Sequence, residues 1–201
     1  SASGRRGLGV QRMNSANILF LDTESDETTK ALQTIQTLYH GQTHIFRAGD
    51  DLSALACMWD SADAVCAWNA PYDMGALSTI PGNAYSWSEQ KRGGAKTGAW
   101  KFTLFGLIYR VRRIGMHRNL IKGMNRGKKL PSTPVIDLQK LWTILIDEDT
   151  ASLKANIQKY LHEEPIPYSA ENAKTDAYML QDVIQQKRLF DMFLEKTANI
   201  P

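Results

Sequence analysis

The stretch ILFLDTES, residues 18–25, decides the architecture. Ile18 to Leu21 is an unbroken apolar run closed by an acid at Asp22, the pattern of a central strand covered on both faces. Residues two apart on a strand project to the same face, so Asp22 and Glu24 emerge together where the strand leaves the core. Alternation resumes through Leu32 to Tyr39, and after a turn at Gly41 it continues from His44 to Arg47, giving two antiparallel strands. Asp50 or Asp51 caps a helix through Leu55 and Trp59. Ala64 to Trp68 (AVCAW) is a second buried strand, and a short helix through Met74 and Leu77 follows Asn69.

Further along, Trp100 to Leu104 and Ile108 to Arg113 read as an aromatic hairpin turned at Gly106, followed by a Gly/Lys/Arg-rich loop to Lys129 that Pro131 and Pro134 end. Pro134 to Asp137 is the last strand, and helices follow at Leu138 to Leu145, Ser152 to Leu161 and Ser169 to Lys196. A strand meander feeding βα units into a mixed sheet is a small α/β layer architecture.

Composition agrees with one domain. Of 201 residues 43% are apolar and 22% charged, which excludes disordered, collagenous and coiled-coil classes. A chain of this length buries roughly 70% of its unfolded surface and needs no covalent staple. Cys57 and Cys66 belong to no CxxC pair or Cys/His ligand cluster, which argues against structural zinc and for a reducing, intracellular, cytoplasmic setting. No apolar run approaches the ~20 residues of a membrane span. Residues 1–16 carry Arg5, Arg6 and Arg12 without an apolar h-region and are expected to be a disordered arm or expression remnant, leaving 17–201 as the domain.

Charge is unevenly placed. From Lys91 to Ile136 there are twelve Lys/Arg and no Asp or Glu, while the remaining twelve basic residues face 21 acidic ones, a balance of −9. A basic segment on an acidic body points to a polyanion, and the interleaved Trp100, Phe102, Phe105 and Tyr109 give bases something to stack on.

Three groups of acids carry the chemistry. The strand pair Asp22 and Glu24 is the first. The second is Asp73 in NAPYDMGAL, residues 69–77, on the first turn of a short helix, where the helix dipole favours an acid. The third lies in ENAKTDAYMLQDVI, residues 171–184, where Ala173, Ala177, Leu180, Val183 and Ile184 mark a packed helix face. Asp176 falls within that stripe, and Asp182 lies about 150° from its centre, facing solvent. A carboxylate on a packed face beside small residues calls for a cation.

In this order a strand DxE, an NxxxD opening a helix and a late helical acid followed by Ala resemble the three motifs of the DEDD (DnaQ-like) 3'-5' exonuclease superfamily, from about Ile18 to Lys196. The resemblance implies a ribonuclease H-like mixed sheet flanked by helices, with a basic hairpin and loop inserted at about residues 90–132. It implies hydrolysis of phosphodiester bonds from the 3' end of single-stranded or frayed DNA, releasing nucleoside 5'-monophosphates, in replication, proofreading or repair. Asp22, Glu24, Asp73 and Asp176 would hold two divalent cations, with Asp22 bridging; oxygen-only ligands suit Mg²⁺ or Mn²⁺.

The subgroup rests on the third motif. Ala173, Asp176 and Ala177 match the tail of the DEDDh pattern HxAxxDA, with Glu171 at the histidine's position, where it would orient the attacking water. Tyr178 and Asp182 match the YxxxD of the DEDDy branch, the alternative. Asn69 would contact the terminal nucleotide by its motif position. Trp100, Arg110, Arg112, Arg113, Arg118, Lys122 and Arg126 would form the nucleic-acid track. The partners expected are a DNA 3' end and a separately encoded DNA polymerase, and no membrane. Asp137 is expected to cap the helix after it. His40, His44, His117 and His162 share no metal-ligand spacing, and no phosphate-binding GxxxxGK[ST] loop is present. An exoribonuclease of the same superfamily and a non-catalytic nucleic-acid-binding module on the same fold are the competing readings.

Overall fold

The computed structural model describes residues 14–26, 28–29, 31–92, 95–105, 107–114, 118–124, 133–146, 152–169, 171–172 and 175–198. The expected arm lies largely outside them; Ser15–Asn17, at its end, forms a 3-10 turn capped by the Asn14 side chain.

Strand β1 (Ile18–Ser25) is the axis of a five-stranded mixed sheet. β2 (Leu32–Tyr39) pairs antiparallel to β1, and β3 (Gln42–Arg47) antiparallel to β2. His40 and Gly41 join β2 to β3, both at positive φ, as a tight hairpin turn requires. On the other side of β1, β4 (Ala64–Ala67) and β9 (Val135–Asp137) run parallel to it, giving the order β3-β2-β1-β4-β9. This is an α/β fold with a mixed sheet between helices.

Each face of the sheet has its own core. Leu19, Leu21, Ile35 and Phe46 pack under α1 (Ser53–Ser61) and α2 (Ala70–Leu77), through Leu55, Trp59, Met74 and Leu77. On the opposite face Phe20, Leu38, Cys66 and Trp68 meet α3 (Leu138–Ile146), α4 (Leu153–Asn156) and α5 (Asp176–Thr197). Phe20 and Phe190 lie edge to face at 5.6 Å there. The all-apolar start of β1 follows from this double cover, and its first acid appears where the cover ends. α4 continues into one π-helical turn, Ile157–Leu161.

Two expectations need correction. The basic segment is more ordered than a hairpin and loop, because β5 (Ala84–Arg92), β6 (Ala95–Leu104), β7 (Leu107–Ile114) and β8 (Arg118–Met124) form a second, antiparallel sheet. Lys and Arg alternating with apolar residues are a half-solvated strand pattern, which the density of Gly and charge disguised as loop. The last helix begins at Asp176, not Ser169, with the Thr175 hydroxyl accepting from the Tyr178 N–H at 3.2 Å. Cys57 and Cys66 are both free thiols. Among the described residues no helix is long and apolar enough to cross a membrane.

Candidate functional site

The carboxylates gather at the carboxyl ends of β1 and β4, where open α/β sheets leave a crevice for ligands. Alternation along β1 puts Asp22 and Glu24 on the face covered by α5 and turns Thr23 to the other face, where α2 lies. Thr23 Oγ1 donates to Asp73 Oδ1 at 2.9 Å, and Asp73 is buried. α2 delivers Asp73 because Asn69, left-handed at φ 57, turns the chain sharply out of β4 and Pro71 fixes the first helical turn.

From the α5 side comes Asp182, half-buried, with one carboxylate oxygen wholly buried and unpartnered. One turn before it stands Tyr178, whose hydroxyl accepts from Lys154 Nζ at 3.1 Å. The same ammonium lies 5.0 Å over the Tyr178 ring.

Electrostatics ties these groups together. Burial raises Asp22 well above the usual carboxylate range, and the charges of Asp73, Asp182 and Glu24 raise it further, with Lys154 opposing. Glu24 is raised by burial and by Asp182. Asp182 is raised by burial and relieved by Lys154. Burial pushes Asp73 up strongly against the pull of the Thr23 hydroxyl. Burial works against the charge on Lys154, but the Tyr178 hydroxyl and the Asp182 and Glu24 carboxylates outweigh it and hold that ammonium above its ordinary pKa.

The two helix acids are the reverse of the sequence expectation. Asp176 is exposed on the first turn of α5, with Oδ1 3.3 Å from Arg47 Nη2, and it is not among the charges acting on Asp22 or Glu24. Asp182 is. The stripe read from Ala177 and Ile184 has the wrong phase: both are exposed, and the packed face runs through Tyr178, Met179, Val183, Gln186, Leu189, Phe190 and Phe193. Buried Gln181, Gln185 and Gln186 lie among these residues, and a count of apolar residues reads them as solvent-facing. Glu171 is exposed in the turn before α5 and does not join the cluster.

Asn69 stays beside the site, its backbone N–H helping to hold the charge of Asp137. Asp137 caps α3, as expected, by accepting from the Lys140 N–H at 3.2 Å. It is also buried, its Oδ2 has no partner, and burial lifts its pKa to about 6. Lys154, Tyr178 and Asp182 are the site residues the sequence reading missed or set aside. Only the i, i+4 spacing of Tyr178 and Asp182 signalled them, since Lys154 comes from a four-residue helix 24 positions upstream of its hydroxyl partner.

Among the described residues no three His, Cys, Asp or Glu side chains close into a ready metal cage. The donor chemistry nevertheless fits a hard divalent cation. Asp22, Glu24, Asp73 and Asp182 offer oxygen alone, and Asp73 Oδ2 and Asp182 Oδ1 are buried without a hydrogen-bond donor.

The register of the second sheet brings its basic and its aromatic residues into cross-strand pairs. Lys101, Arg110 and Lys122 are register partners across β6, β7 and β8. Trp87 is the register partner of Trp100, and Phe102 that of Tyr109. Leu104, at the end of β6, is buried in the core beside Trp59 and Val135. Arg126 lies outside the described residues. No protein-family model and no curated protein sequence matches the chain.

Proposed function

We propose that the chain is a metal-dependent 3'-5' exonuclease of ribonuclease H-like fold, with Asp22, Glu24, Asp73 and Asp182 as its four acids and Tyr178 in the YxxxD arrangement. The observation that carries this reading is the convergence of Asp182 on the β1 pair, where its charge raises the pKa of both Asp22 and Glu24, with Tyr178 one turn away on the same helix. The strand order β3-β2-β1-β4-β9, with β2 antiparallel to its neighbours, supports it, because that is the order of a ribonuclease H-like sheet.

The four carboxylates would hold two Mg²⁺ or Mn²⁺ ions, which supply Lewis acidity at the scissile phosphate and acidify the attacking water. The chain's own residues set the geometry around that chemistry. The Thr23 hydroxyl fixes one oxygen of Asp73 and leaves Oδ2 for the ligand. Lys154 donates to the Tyr178 oxygen, so the phenolic proton remains for an oxygen of water or phosphate and holds it in line. Lys154 also opposes the upward push of burial on the pKa of Asp182 and of Glu24. The basic residues of the second sheet, among them Lys101, Arg110, Arg112, Arg118 and Lys122, would carry the phosphate backbone toward the acids.

Digestion of a 5'-labelled single-stranded DNA oligomer with Mg²⁺ or Mn²⁺, beside EDTA, tests the reading. A metal-dependent ladder shortening from the 3' end is the expected result, and a matched RNA oligomer decides between deoxyribonuclease and ribonuclease. An oligomer left intact yet shifted on a gel would replace this reading with a nucleic-acid-binding module.

A further inference from the structure

Beside the carboxylates the surface opens into a polar cleft of about 640 Å³, lined by Glu24, Thr34, Arg47, Tyr168 and Tyr178 among others. That size is typical of a site for a small ligand. Glu24 pairs with Thr34 across β1 and β2, and Thr34 pairs with Arg47 across β2 and β3, so the three stand in one row on one face of the sheet. Two strand spacings, roughly 10 Å of backbone, separate Glu24 from Arg47. Among the described residues lining the cleft Arg47 is the one cation, while Glu24 and Asp26 add negative charge. The Arg47 backbone is fixed at the end of β3: its N–H donates to Asp50 Oδ2 at 2.7 Å, and its carbonyl accepts from the Asp50 N–H at 3.0 Å.

The guanidinium meets Asp176 through a single 3.3 Å contact, and the two side chains are 56% and 69% exposed. An exposed, singly bonded pair of this kind contributes little and exchanges readily. A guanidinium has five donors in a rigid fork that matches two oxygens of a phosphate better than one oxygen of a carboxylate. We infer that Arg47 is the clamp for a substrate phosphate in this cleft, and that Asp176 is the resting counter-ion which that phosphate displaces. The inference rests on the exonuclease reading for its ligand, the backbone phosphate next to the one addressed by the acids, and it gives Asp176 a role opposite to that of a metal ligand.

Binding of a 5'-fluorescein DNA oligomer, followed by anisotropy with Ca²⁺ in place of the catalytic ion, tests the clamp without cleavage. Arg47→Ala is expected to weaken Kd about tenfold and Arg47→Lys to recover part of the loss, the scale of hydrogen bonds to charged groups. Asp176→Asn is expected to tighten Kd about threefold, because the competing carboxylate is gone. One neutral methylphosphonate linkage, moved along the oligomer, should cost the native protein about tenfold at a single position and cost Arg47→Ala nothing there. Arg47→Ala binding within twofold of native, or weaker binding by Asp176→Asn, overturns the clamp. A native protein that binds and fails to cut refutes the exonuclease reading while leaving these comparisons intact; one that binds no oligomer refutes both.

Discussion

Asp137 makes the fold's stability depend on pH in a direction opposite to ordinary acid denaturation. The residue is 7% exposed, one carboxyl oxygen caps α3 and the other has no partner, and burial lifts its pKa to about 6 from 3.8 in a free chain. Below about pH 4 the group is protonated folded or unfolded and costs nothing. Between there and about pH 6 the unfolded chain ionises first, so folding loses stability as pH rises, by about 1.4 kcal/mol per pH unit. The whole window is worth about 3 kcal/mol, constant above it.

Asp137→Asn removes this dependence while keeping an oxygen for the Lys140 N–H. Its new amide is buried where Oδ2 has no partner, a cost of ~1–3 kcal/mol. That cost does not change with pH and drops out of the comparison. Urea unfolding of both proteins in EDTA at steps from pH 4 to 7.5 is the assay. The stability difference, variant minus native, should grow by about 2.4 kcal/mol across the series. A difference flat to within about 0.5 kcal/mol would refute the burial of a charged Asp137.

Other predictions follow from the same contacts. Lys154→Met should cost about tenfold or more in kcat/KM near neutral pH, and should move the acidic limb of the pH profile upward, because the cation that opposes burial at Asp22, Glu24 and Asp182 is lost. An unmoved limb would contradict the electrostatic role. Replacing Arg110 and Arg112 together by Ala should lower the slope of log Kd against log salt by about 1.4, from ~0.7 per phosphate contact on a single strand. A slope left unchanged would refute the contribution of this sheet to phosphate binding.

Much of the central sheet is legible in the chain itself. ILFLD announces a strand covered on both sides, the apolar AVCAW announces its parallel neighbour, and an asparagine and proline after it announce the turn into α2. Asp22, Glu24 and Asp73 follow because strand parity and a helix start fix their positions. The fourth acid is not legible in that way. α5 buries three glutamines, so the phase of its packed face cannot be taken from apolar residues, and a 100° step turns Asp176 outward when Asp182 turns in. Lys154 has no local signature at all, since tertiary packing alone lays α4 against Tyr178. The strands β5 and β8 were hidden because half of each strand's residues are polar or charged and their pairing partners are read only from the register.

The account stands most directly on which helix acid serves the site. Asp182→Asn and Asp176→Asn should be compared on the 5'-labelled oligomer with Mg²⁺ or Mn²⁺, both proteins first matched by circular dichroism. The account predicts that Asp182→Asn abolishes the 3'-shortening ladder and that Asp176→Asn keeps it, at lower KM. A ladder that survives Asp182→Asn and disappears in Asp176→Asn would contradict the site as drawn.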